Sequence, residues 1–245
     1  MTQLIFVLDP MCSWCWSFHP VIEALRKEYA DRYTFSLTMG GLRTTGQMEW
    51  NTQSKAYLAS AWDSVANTTK QPFNISLLNR THFDYNTYPA CKAVITIREL
   101  YGEDAAFAYL GAIQKAFYVD GADITTLETL THYVTQDKEA FQTFYQSDRA
   151  ELLMQHDFSK ARSMGANAFP STVKIDEDGH MVCINGYKRL EDILKIFNII
   201  FFIRISFMFL LLKLSILLNI IIYQILNTWS NIITIIELNH HTVKF

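Results

Sequence analysis

A short apolar run that stops on a turn and leads into two closely spaced cysteines constrains this chain more than any other feature. Leu4-Ile-Phe-Val-Leu8 ends at Asp9-Pro10, and Met11-Cys12-Ser13-Trp14-Cys15-Trp16 comes next. An apolar run of this length closed by a turn reads as a buried strand. Beyond the cysteines, Val21, Ile22, Ala24, Leu25 and Tyr29 recur at helical spacing, so the thiols fall where a strand hands over to a helix. The first thiol then sits at a helix N-terminus, where unpaired backbone N–H groups and the positive end of the helix dipole favour a thiolate. Cys12 is therefore the expected nucleophile. Cys15, one turn inside, is placed to attack the mixed disulfide that Cys12 forms. Half of a zinc site and a pair of structural thiols are the competing readings. Zinc wants a second Cys or His pair at similar spacing, whereas Cys91 and Cys183 stand alone.

The rest of the chain supplies the frame for such a pair. Pro20 interrupts the predicted helix, at a cost of about 3 kcal/mol unless a kink is wanted. Tyr33 to Met39 alternates as a second strand and ends at Gly40-Gly41, completing a β-α-β unit suited to parallel pairing. Near the other end, Phe169-Pro170 opens Ser-Thr-Val-Lys-Ile175, Asp176-Glu-Asp-Gly179 makes a hairpin turn, and His180 to Ile184 returns. A proline in that position fits an edge strand or a cis bond. From Lys188, the residues Leu190, Ile193, Leu194 and Phe197 predict a closing amphipathic helix. Between the halves, helical patterns run over Thr52–Ala66, Tyr88–Tyr101, Asp104–Phe117, Thr125–Thr135 and Lys138–Tyr145.

A β-α-β unit, an insertion and a proline-led β-β-α unit resemble the thioredoxin fold interrupted by a helical domain, as in the DsbA family. More closely, the chain is similar to the cytoplasmic DsbA-like proteins of the FrnE group, regarded as protein-disulfide isomerases. The resemblance is carried by Asp9-Pro10-Met11-Cys12-Ser13-Trp14-Cys15-Trp16, Gly40-Gly41-Leu42-Arg43, Tyr88-Pro89-Ala90-Cys91-Lys92-Ala93, Phe117-Tyr118-Val119-Asp120-Gly121 and Phe169-Pro170-Ser171. It implies an α/β fold with 1–41 and 165–200 as the halves of a thioredoxin-like domain and 42–164 as a helical insertion; composition sets 201–245 apart as a hydrophobic tail. The resemblance also implies that Cys12 and Cys15 are the redox pair, that Pro170 is a cis-proline facing Cys12, and that Trp14 and Phe169 contact substrate. The implied activity is thiol-disulfide exchange on protein thiols, served by a further redox partner. No bound cofactor or metal is implied; glutathione is a possible redox partner. Ser13-Trp14 replaces the Pro-His of DsbA itself, so the resemblance does not extend to DsbA's oxidising strength. Kappa-class glutathione transferases and chromene-carboxylate isomerases share the superfamily and bind glutathione, but typically lack the second cysteine that Cys15 supplies. A holdase gripping unfolded chains with the helical insertion is a third, non-enzymatic reading.

Composition trims the remaining classes. Lys plus Arg number 21 against 24 Asp plus Glu, so the basic excess of a nucleic-acid binder is missing. Four cysteines in 245 residues are too few for a disulfide scaffold. The N-terminus shows no basic, long-apolar, small-residue pattern of a secretory signal, which predicts a cytoplasmic protein. The aromatics Trp50, Trp62, Phe83, Tyr88, Phe117 and Tyr118 either line a groove over Cys12 or form the core of the insertion, and core is the expectation. Cys91 and Cys183 are expected to be structural, and His19 a packed side chain rather than a tuner of the thiolate. Ile196 to Phe245 is a population apart, with 14 isoleucines and none of the nine glycines or five prolines. Leu214–Ile236 carries no charge and is long enough for a membrane anchor, whereas the Ile-, Phe- and Asn-rich composition favours a frame change in AT-rich DNA; a surplus amphipathic segment is the third alternative.

Overall fold

β1 (Thr2–Leu8) lies in the middle of a four-stranded sheet of order β2-β1-β3-β4. In this computed structural model, which describes residues 1–44, 48–197, 211–222, 224 and 225, β2 (Tyr33–Met39) runs parallel to β1, β3 (Ser171–Ile175) antiparallel to β1, and β4 (Met181–Asn185) antiparallel to β3. A central strand is covered on both faces, which is why β1 reads as an unbroken apolar run. Its side chains alternate between two cores. Phe6 meets Phe18 and Phe107 on one face, and Ile5 and Val7 join Ala161, Met164, Ala166 and Val173 on the other.

α1 (Ser13–Glu28) follows directly, burying Cys15, Phe18, Ile22 and Leu25 at helical spacing and ending with Arg26 and Lys27 in its last turn. Pro20 lies inside it, and the Trp16 carbonyl that proline leaves without its usual donor accepts a bond from Gln71 Nε2 at 3.3 Å. The expected penalty is offset by a side chain from outside the helix.

Between β2 and β3 the chain forms α2 (Thr52–Thr69), a short 3-10 turn at Ile75–Asn79, α3 (Tyr88–Tyr118), α4 (Leu127–His132), α5 (Lys138–Tyr145) and α6 (Asp148–Ser163). α2 opens with a reciprocal cap between Asn51 and Ser54. α3 breaks at Gly102, whose φ of 86° and ψ of 176° are not helical, between the two segments the sequence separates. Helix side chains then close the outer edge of β2. The Leu37 N–H donates to Glu103 (2.9 Å), the Leu37 carbonyl accepts from Arg98 (2.7 Å), and the Met39 N–H donates to Asp157 (2.9 Å). Arg98 and Asp157 are themselves joined by two 2.8 Å bonds. An edge strand's free backbone groups are thus satisfied within the molecule.

Residues 1–190 form one compact unit and 191–245 a second. In the second, 191–197 continues the predicted closing helix and buries Ile193 and Phe197, and 211–222 is helical with Leu211, Leu214 and Leu218 about half exposed. The end of the closing segment and most of the Leu214–Ile236 stretch lie outside the described residues. Among the described residues no helix is long and apolar enough to cross a membrane.

Candidate active site

Cys12 closes the turn after β1 and caps α1. Its backbone is extended (φ −88°, ψ 119°), and its carbonyl accepts from the N–H groups of Cys15 (2.9 Å) and Trp16 (3.0 Å). Cys12 keeps 6% of its surface while Cys15 keeps none, so Cys12 is the more exposed of the two thiols. Burial first, and then the adjoining Cys12 thiol, pushes the Cys15 thiol well above the ordinary range. All four cysteines are free thiols. No three His, Cys, Asp or Glu side chains gather as metal ligands among the described residues.

The second half of the chain meets this thiol from across the sheet. The Cys12 Sγ donates to the Phe169 carbonyl at 3.6 Å, and the Phe169–Pro170 peptide is cis. Phe169 offers Cys12 its backbone, while its ring turns inward: it packs on the Ile5, Val7 and Val173 core and lies across Gly40, where an added Cβ would come within 2.1 Å of the ring. Trp14 is half-buried on the flank and rests against Tyr187 with centroids 5.3 Å apart, and Phe18 packs edge-on to Tyr187. Of the residues named from sequence, Cys12, Cys15 and the Phe169 carbonyl come together, Pro170 follows as the buried residue before β3, and Trp14 forms the rim.

Behind the thiols lies a polar layer that sequence reasoning did not single out. Asp9 is fully buried; its carboxylate accepts from the N–H groups of Met11 (2.8 Å) and Leu42 (2.7 Å) and from the Cys91 thiol (3.4 Å). Burial raises its pKa against these bonds, which lower it. Tyr85 donates to the Met11 carbonyl at 2.7 Å, and burial raises both its phenol and that of Tyr118. The turn bearing Cys12 is thereby tied to the loop after β2 and to the insertion. Asp9 stood in the recognised motif without a role, and Tyr85 offers no local signal at all.

The remaining expectations sort plainly. Trp62, Phe83, Phe117 and Tyr118 are buried and in ring contact with one another, so they form core rather than a groove lining. Trp50 is half-buried with its Nε1 on the Arg80 carbonyl at 2.8 Å, and the Tyr88 hydroxyl donates to Glu151. Cys91 is fully buried and Cys183 packs beside the Phe169 cluster; burial raises both thiols. His19 stacks on Trp16 and sits over Gly111, and burial lowers its pKa.

A parallel β-α-β unit carrying the cysteines, an antiparallel β-β unit behind a cis-proline and helices inserted between them is the thioredoxin arrangement, and the thioredoxin family profile matches residues 5–195. The chain belongs to the thioredoxin family. Its interrupted, DsbA-like form is the one expected from the sequence. Within the family it is similar to the structure of a candidate protein disulfide isomerase from Nitrosomonas europaea: the two are 31% identical, the match covers 78% of this chain and 92% of the other, and the TM-score is 0.70. It shares its fold with the cytosolic disulfide reductase DsbM from Pseudomonas aeruginosa, at 24% identity, with 74% and 88% of the chains covered and a TM-score of 0.62. Among curated proteins, the ClpXP adapter protein SpxH of Bacillus subtilis is 23% identical over 172 residues, or 69% of this chain. The chain spans 56% of the length of that relative.

Proposed function

We propose that this thioredoxin-family protein exchanges thiols and disulfides with protein substrates through Cys12 and Cys15. The observation that carries the reading is the asymmetry of the pair: Cys12 is at the helix N-terminus with some exposure, and Cys15 is wholly buried beside it. In the reducing direction the Cys12 thiolate attacks one sulfur of a substrate disulfide. The substrate's S–S bond breaks, one substrate thiolate leaves and takes a proton, and a Cys12–substrate disulfide forms. Cys15 then gives up its proton and attacks Cys12 Sγ. The second substrate thiol departs, the substrate has gained two electrons, and Cys12–Cys15 is the disulfide. Two equivalents of a small thiol such as glutathione, or one protein dithiol, return the pair to its starting state; the GSH complex of DsbM supports the first choice. Trp14 and the Phe169–Pro170 backbone border the substrate's path. A cytosolic setting is part of the proposal and rests on the DsbM likeness.

Insulin reduction, followed with and without glutathione, tests this. Turnover that Cys12→Ser abolishes, and that Cys15→Ser converts into an accumulating Cys12-linked mixed disulfide, supports it; undiminished turnover by Cys12→Ser overturns it. The SpxH relatives favour a second reading, an adapter that binds a protein partner without turning it over. In that case a Cys12→Ser, Cys15→Ser double variant keeps its partner while insulin reduction is absent from the parent protein.

A further inference from the structure

We propose that Asn185 is a positioning residue for the exchange at Cys12, holding the 165–171 segment so that the Phe169 carbonyl stays on the Cys12 thiol. This rests on the reading of Cys12 as the exchanging thiol. Asn185 is the last residue of β4 and faces Ser171 in the sheet register. Its Oδ1 accepts from the backbone N–H groups of Asn167 (2.9 Å) and Ala168 (3.3 Å), and its Nδ2 donates to the Gly165 carbonyl at 3.0 Å. Ser171 Oγ lies 2.7 Å from Asn185 Oδ1 and 2.5 Å from the Ala168 carbonyl, and its single proton serves one of them. One amide thus spans the connection between α6 and β3.

Ala166 and the Phe169 ring anchor that connection in the core, and between them its backbone is left to polar contacts. The N–H groups of Gly165 and Ala166 bond back to the end of α6, at Arg162 (3.0 Å) and Ala161 (3.1 Å), and β3 begins only at Ser171. Asn167 and Ala168 are exposed, and their N–H groups are turned to Asn185. With the donors of 167 and 168 directed to β4, the next carbonyl, that of Phe169, is left toward Cys12 Sγ. The carbonyl takes the thiol's proton as a hydrogen bond at 3.6 Å, a bond that must break when exchange at the sulfur begins. Placing it therefore affects both the reactivity of Cys12 and the backbone that a substrate peptide meets.

Asn185→Ala removes every contact, and Asn185→Asp keeps the acceptors for Asn167 and Ala168 while losing the bond to Gly165. Two measurements decide: kcat and KM for insulin reduction, and the pH midpoint for iodoacetamide labelling of Cys12, which needs no turnover. With the carbonyl released, Asn185→Ala should lose about tenfold in kcat/KM, mainly through KM, and its labelling midpoint should move toward acid. Asn185→Asp should recover most of the loss in kcat/KM. A folded Asn185→Ala with parental KM and midpoint overturns the proposal, as does a loss that merely tracks the unfolded fraction; should the alanine variant not fold, a parental midpoint and KM in a folded Asn185→Ser overturn it. If the parent protein itself turns nothing over, the exchange reading fails, and the labelling midpoint still judges Asn185.

Discussion

Replacing Asp157 by alanine tests how the insertion is joined to the sheet. Asp157 is 1% exposed, takes two 2.8 Å bonds from Arg98 and one of 2.9 Å from the Met39 N–H. The substitution leaves the Arg98 side chain, 17% exposed, with the Leu37 carbonyl, and strips the acceptor from a backbone N–H on the edge strand. Removing one partner of a buried pair costs about 3–5 kcal/mol, and the partial exposure of Arg98 points to the lower end, about 3 kcal/mol. That is a large share of a typical total of about 5–15 kcal/mol. With a urea m-value of about 2 kcal/mol/M, the midpoint should fall by about 1.5 M. Replacing the pair together, as Arg98→Met with Asp157→Leu, removes the charge left behind as well as the bond. It should cost less than the sum of the single changes by more than about 1 kcal/mol. Urea unfolding followed by tryptophan fluorescence measures the parent, Asp157→Ala, the single changes Arg98→Met and Asp157→Leu, and their double. A loss under about 1 kcal/mol for Asp157→Ala at unchanged m, or single losses that add up to the double, would refute the reasoning.

Gly40→Ala should destabilise by about 1–3 kcal/mol and slow insulin reduction, because the new methyl would stand 2.1 Å from the Phe169 ring and must displace the residue whose carbonyl meets Cys12; unchanged stability and rate would count against that packing. His19, whose pKa burial lowers from 6.5, resists protonation when folded, so the unfolded chain takes up more protons and stability falls as pH drops below neutrality. His19→Gln should flatten that slope between about pH 7 and 5, and parallel curves for the two proteins would show His19 contributes nothing. A chain ending at Phe197 should keep Cys12 labelling and insulin turnover, because Cys12, Cys15, Phe169, Pro170 and Asn185 all lie within the unit formed by residues 1–190. Loss of both in a folded truncation would make the tail part of the site.

Periodicity revealed most elements wherever burial is apolar. β2 and α5 have the bounds expected from the sequence, and the break at Gly102 falls between the two helical segments the sequence separates. α6 shows the limit. Its buried face is Ala150, Met154, Asp157 and Ala161, so half the stripe is alanine and one position is an acid held by Arg98. Such a face has no hydrophobic period to detect. The candidate site divides the same way. The cysteine pair announces itself because its chemistry is local in sequence, whereas Asn185 acts on residues 14 to 20 positions earlier and carries no local signal of it. At Phe169 the ring packs inward and the backbone carbonyl faces the thiol, an orientation that no sequence pattern carries.

The placement of the thiols follows from the strand order. A helix that begins where a central strand ends has its first turn against the core, so a cysteine one turn in is buried by construction, while the capping cysteine remains at the sheet's rim. Because β3 pairs with β1 on the side away from β2, the segment entering β3 arrives beside that rim, which is how a carbonyl 157 residues away comes to face Cys12. The insertion leaves this crossing intact because it joins the end of β2, on the far side of β1. Its Tyr85, Cys91, Arg98 and Asp157 instead hold the turn and the edge strand from behind. The helices can then vary while the strand ends keep the sulfurs and the carbonyl in place, because the site's geometry is set by the sheet and not by the insertion.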